Sequence, residues 1–134
     1  TYEKLSTACS LLRTGLPYVV TNPDVNCPTP DGPIPDAGSF MAAIEASTGR
    51  RADRVIGKPN PDFLRGAMAL AGAAPGETAM VGDRLYTDVA AGNAAGVLSI
   101  LVLSGESTLE MVEGAEHRPG VVADRLESLI PYLD

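Results

Sequence analysis

The chain has 134 residues, 45% of them hydrophobic, and a formal charge of −7. That is enough length and apolar content to bury one core or two small ones, and it excludes a disordered or fibrous class. The acidic balance, with no basic patch, argues against nucleic acid or an anionic membrane as a partner, and no signal-like or membrane-spanning stretch is visible.

Apolar periodicity predicts a first helix over Tyr2 to Arg13, then a strand from Pro17 to Thr21. A long loop containing Pro and Asp follows, and a second helix runs from Ser39 to Thr48 and stops at Gly49. The organisation divides near residues 53 to 58, where Val55-Ile56 reads as a short strand leading into Gly57-Lys58-Pro59. Asn60 reads as an N-cap and Pro61 as a first helical residue. Phe63, Leu64, Ala67, Met68 and Ala71 then form one apolar helical stripe, closed by Gly72.

Pro75-Gly76 and Gly82 bound a short strand over Thr78 to Val81, and a helix is predicted from Thr87 to Ala95, ending at Gly96. Val97 to Leu103 is nearly continuously apolar, as befits a strand covered on both faces. Ser107-Thr108-Leu109-Glu110 and Asp124-Arg125-Leu126-Glu127 resemble capping-box starts, one after that strand and one after a further strand at 120 to 123. Repeated βα units imply an α/β fold with a Rossmann-like, doubly wound parallel sheet.

Two carboxylates, Asp83 and Asp88, follow the strand that ends at Val81-Gly82. Ligands of open parallel sheets collect outside the strand carboxyl ends, and Mg²⁺ takes hard oxygens, usually one or two carboxylates together with water and phosphate. Both aspartates could equally cap the following helix and favour its positive end, so spacing alone leaves the two readings open. Lysine occurs only at positions 4 and 58. Lys58, between a glycine and a proline and just ahead of a helix amino terminus, is placed to hold phosphate as a point charge. On sequence alone, replacing it by Met removes a charge from a loop and should barely affect folding. Cys9 falls on a helix face and Cys27 in a Pro-rich loop, which reads as two free cytosolic thiols. His117, between Glu116 and Arg118, reads as a solvated turn residue.

Gly57-Lys58-Pro59 and, about two dozen residues later, Val81-Gly82-Asp83-Arg84-Leu85-Tyr86-Thr87-Asp88 resemble the third and fourth motifs of the haloacid dehalogenase (HAD) superfamily. The likeness is to its NagD-like and p-nitrophenyl-phosphatase-like branch, which carries a large α/β cap. Tyr2-Glu3-Lys4-Leu5, Thr21-Asn22-Pro23-Asp24 and Pro35-Asp36-Ala37-Gly38-Ser39 are similar to that cap, and Leu103-Ser104-Gly105-Glu106-Ser107-Thr108 to the late core. The resemblance implies part of a cap over residues 1–55 and the carboxyl-terminal half of a HAD-type core over 56–134.

It also implies an activity. Such enzymes are Mg²⁺-dependent phosphate monoester hydrolases that work through an aspartyl-phosphate. Asp83 would ligate the ion, Asp88 would support it directly or through water, and Lys58 would pair with the nucleophile and the transferring phosphoryl group. Asn22 and Asp24 would touch the substrate's leaving group, although Thr21-Asn22-Pro23-Asp24 is equally good turn chemistry. The implied partner is a small phosphorylated metabolite, in a cytoplasmic protein for which the branch also allows a homodimer. The family's nucleophile is the first aspartate of an Asp-x-Asp motif, and this sequence contains none. We therefore expect the carboxyl half of a longer phosphatase, inactive by itself. The competing class is a short non-catalytic module that keeps the fold for ion binding or protein interaction.

Overall fold

The first element, α1 (Tyr2–Arg13), forms where it was predicted, because Leu5, Cys9 and Leu12 recur on one helical face. The computed structural model describes residues 1–132. Their contacts separate into two units, one of Thr1–Gly57 and one from Lys58 onward.

In the first unit, Cys9 and Leu12 of α1 pack with Ile44 of α2 (Ala37–Thr48), with Leu5 and Tyr18 at the margin. Each large side chain buried there contributes on the order of 1.5–3 kcal/mol. Cys9 thus behaves as a small apolar residue, Cys27 is exposed, and both thiols are free. The Arg50 guanidinium ties the layers together, donating to the carbonyls of Leu12 (3.0 Å) and Leu16 (3.3 Å) and pairing with Asp53 (3.3 Å). The predicted strand near residue 19 shortens to β1 (Val19–Val20), which pairs in parallel with β4 (Arg54–Val55). Between them β2 (Asn26–Cys27) and β3 (Ile34–Pro35) form an antiparallel pair. Helix α2 starts two residues before the predicted Ser39, because Asp36 caps it by accepting from the Ala37 N–H at 2.7 Å.

The second unit contains a parallel sheet in the order β5-β6-β7, formed by Ala79–Gly82, Leu98–Val102 and Val121–Ala123. One face is covered by α3 (Asp62–Ala71) and α4 (Ala90–Ala95), whose Leu64, Met68 and Ala91 bury with Val97 against Met80. Small residues let α4 lie close: a Cβ on Gly92 would stand 3.0 Å from the Ser99 Cβ and 3.1 Å from that of Met80. A second cluster joins Leu85, Val89 and Leu101. The opposite face, including Val81, Leu98, Ile100 and Val121, lines an open apolar groove with Leu126 and Ile130. No described helix is long and apolar enough to cross a membrane.

Four local expectations shift. Helix α3 begins at Asp62, one residue after the predicted start, and the Asn60 side chain still satisfies its first turn by accepting from the Asp62 N–H at 2.9 Å. The segment predicted as helix from Thr87 opens instead with a π-turn, Leu85–Val89, before α4. Thr108 precedes α5 (Leu109–Glu113), and its side-chain hydrogen bond draws the Glu110 carboxyl below its ordinary range. After Asp124 the chain forms a 3₁₀ segment, Leu126–Tyr132, rather than an α-helix; Pro131 within it lacks the N–H that another α-turn would need. His117 is half-buried rather than fully solvated.

Candidate functional site

Lys58, Asp83 and Asp88 all lie in the second unit, and the fold gathers them at the carboxyl end of β5. The Lys58 ammonium meets Asp88 Oδ1 at 2.5 Å. Asp88 has only 4% of its side chain exposed, whereas Lys58 keeps 45%. A buried carboxylate must be paired and hydrogen-bonded, and Asp88 meets that requirement twice, since its Oδ2 also accepts from the Arg84 N–H at 3.1 Å. The second bond spans the start of a π-turn. Asp88 lies within that turn, Leu85–Val89, a local distortion of the kind that gathers at functional sites.

Asp83 is half-buried and held by the loop after β6. Its Oδ2 accepts from the Glu106 N–H at 2.9 Å, and its carbonyl accepts from the Ser107 N–H at 3.1 Å. Its Oδ1 receives no hydrogen bond from a described residue. Two glycines make these approaches feasible: a Cβ on Gly82 would overlap the Asp88 side chain, and one on Gly105 would overlap the Asp83 carboxylate. Glu106 also bonds through its side chain, accepting from the Tyr86 hydroxyl at 2.8 Å and pairing with the Arg84 Nε at 2.7 Å. The Thr87 hydroxyl, next to Asp88, is buried without a partner among the described residues.

The sequence singles out the two aspartates and the lysine; it marks Gly82 as a strand boundary and Ser107 as a capping-box start, but gives Gly82, Gly105, Glu106 and Ser107 no part in the site. Gly82 at a strand end was the one visible sign, because a glycine there often marks a close approach. Lys58 was expected to face a nucleophile and phosphate; here its partner is Asp88. Asn22 and Asp24 lie in the first unit, and there the Asn22 Oδ1 accepts from the Asp24 N–H at 3.0 Å, which is an Asx-turn. The turn is clasped from two sides, since a Cβ on Gly38 would overlap the Pro23 carbonyl and one on Gly57 the Thr21 carbonyl.

As a cation site, the donor set is sparse. Among the described residues no three His, Cys, Asp or Glu side chains converge. A hard ion that keeps several waters needs only one or two carboxylates, and the Asp83 Oδ1 supplies an anionic oxygen whose lone pairs accept no hydrogen bond from a described residue. The residues present fit magnesium as a partial site, centred on Asp83.

The HAD-hydrolase-like family matches residues 55–129, more than half of the sequence. The chain belongs to this family. This HAD-like chain is 40% identical over 133 residues to a dihydroxyacetone phosphatase from Corynebacterium glutamicum, a match that covers 99% of the chain and 48% of that relative. Among solved structures it superposes on a 4-nitrophenylphosphatase from Thermotoga maritima with a TM-score of 0.89 and 54% identity, covering 98% of the chain and 50% of that protein. A glycerol phosphate phosphatase from Mycobacterium tuberculosis, solved in complex with magnesium, matches with a TM-score of 0.88 and 36% identity over 96% of the chain and 39% of its own length. The HAD-like chain thus spans about half the length of the curated relatives it matches. Those relatives are phosphatases, and the mixed α/β fold with its parallel sheet is the one they share.

Proposed function

We propose that this chain supplies the cation- and charge-handling part of a magnesium-dependent phosphatase acting on a small phosphate monoester. The observation that carries the reading is the Lys58–Asp88 ion pair at 2.5 Å, at the carboxyl end of β5 and in one turn with the open oxygen of Asp83. Asp83 would hold the ion through Oδ1 while the Glu106 amide fixes the other oxygen. Asp88 would hold Lys58 in place as a buried counter-charge. Lys58, with nearly half of its side chain exposed, keeps two further ammonium protons for phosphate oxygens. Magnesium, when bound, would neutralise phosphate charge and so lower the barrier to attack.

Phosphoryl transfer through an aspartyl-phosphate needs a carboxylate nucleophile, for which the family uses Asp-x-Asp, and this sequence has no such motif. The chain by itself is therefore expected to be inert toward p-nitrophenyl phosphate. That same observation favours a second reading, a non-catalytic module that retains the ion site.

A chimaera separates the two. Joined behind the amino-terminal half of the Thermotoga maritima 4-nitrophenylphosphatase, of which it covers 50%, the chain should hydrolyse p-nitrophenyl phosphate when Mg²⁺ is present. Asp83→Asn should then lower turnover by about 100-fold or more, the scale for deleting one charge-stabilising group. A chimaera that turns over equally well with Asn at 83 would sink the assignment, and a well-folded but inert one would favour the module.

A further inference from the structure

We propose that Glu106 is a positioning residue, which keeps the Asp83 carboxylate available to a cation by holding the Arg84 guanidinium elsewhere. The inference deepens the reading above and rests on Asp83 being the cation ligand.

Glu106 acts on the site through both main chain and side chain. Its N–H holds one oxygen of Asp83 at 2.9 Å, which fixes the carboxylate's rotation and leaves the other oxygen open. Its own carboxylate is divided between two neighbours of Asp83, with Oε1 accepting from Tyr86 and Oε2 pairing with Arg84 at 2.7 Å. Gly105 allows the loop to come this close.

The need for such a device lies in the order of residues. Arg84 follows Asp83 directly and precedes Asp88, so a permanent cation is threaded between the two carboxylates of the site. A guanidinium matches carboxylate geometry with a rigid fork of donors, making it a natural competitor for the oxygen a divalent ion would use. It would also repel that ion. Paired with Glu106, its charge is neutralised in a half-exposed setting where solvent screens the remainder, with 28% of the Arg84 side chain and 40% of that of Glu106 accessible.

The test is Mn²⁺ titration of the full 134-residue chain, with free ion followed by electron paramagnetic resonance and each variant's fold checked by circular dichroism melting. Wild type should bind, and Asp83→Asn should not. Glu106→Ala should weaken binding about five- to tenfold, the scale of one partly screened charge, and the isosteric Glu106→Gln should do nearly the same while retaining an acceptor for Tyr86. If Glu106→Ala does not fold, Glu106→Gln decides. Arg84→Gln should restore affinity in the Glu106→Ala background and change it far less alone, because the guanidinium whose charge Glu106 no longer neutralises is the competitor. Wild-type affinity in both Glu106 variants, with Asp83→Asn still inactive in binding, overturns this inference alone. So does an Arg84→Gln gain of equal size in both backgrounds, which is plain charge addition. Binding that survives Asp83→Asn overturns the cation reading together with the inference.

Discussion

The turn at Thr21–Asp24 and the site at the end of β5 carry similar polar side chains, yet satisfy them over very different spans of chain. Asn22 bonds two residues away, within the turn it helps to form. Asp88 takes one bond within its own turn, from Arg84, but its charge is met by Lys58, 30 residues earlier, and Asp83 is held by Glu106, 23 residues later. A polar group bonded locally is a property of its tetrapeptide and persists whatever surrounds it. One bonded across the fold exists only when strands, loops and glycines are all in place, and its loss is felt by each of them. The first arrangement makes a turn; the second makes a site.

Substitutions can break or sharpen that contrast. The largest effect is expected at Gly82→Ala, where the new Cβ overlaps the Asp88 side chain and something must move. A loss of about 3 kcal/mol is anticipated in urea denaturation, the upper part of the range for overpacking. Gly66→Ala in α3 is its control, since nothing lies within 4 Å of that Cβ, and it should stabilise slightly. Next comes Lys58→Met, which strands a buried Asp88 carboxylate and should cost about 2 kcal/mol, moderated because the lysine is 45% exposed. Adding Asp88→Asn should recover much of that loss in a double-mutant cycle. Full additivity would mean that the pair is not a unit. The smallest effect belongs to Asn22→Ala, about 1 kcal/mol for one local hydrogen bond, measured by thermal melting. Were it to exceed the loss at Lys58, the division into local and long-range bonding would fail.

The Lys58 figure departs from what the sequence supports. Read in its tripeptide, Lys58 is a loop lysine whose removal should leave folding unchanged, and its buried partner 30 residues on is invisible. Asp83 and Asp88 were legible as a pair because a strand end and a glycine announce themselves locally. Glu106 was not, since its role depends on β6 lying parallel to β5, which brings the two strand ends together. The same holds for the elements. Helix α1 and the parallel sheet follow from apolar periodicity, while the start of α2 was set by Asp36, and a π-turn stands where Asp88 accepts from the Arg84 N–H. Periodicity reports which face is buried. It does not report a hydrogen bond that bends the chain to meet it.

The π-turn at Leu85–Val89 also makes residue count matter more than residue identity in this stretch. There the Arg84 carbonyl accepts from the Asp88 N–H at 3.0 Å and also from the Val89 N–H at 3.2 Å, and the second bond closes a turn one residue longer than an α-helical one. Deleting any single residue between Leu85 and Thr87 would let the segment relax into ordinary helix, with α4 still free to settle on the sheet. Residues on the amino side of the deletion would then turn by roughly 100° relative to Asp88 and α4, the angle per residue of an α-helix, and the Arg84 N–H would leave the place from which it donates to Asp88. The interval from Asp83 to Asp88 is thus a ruler, whose length matters even where a side chain is exposed, as at Tyr86.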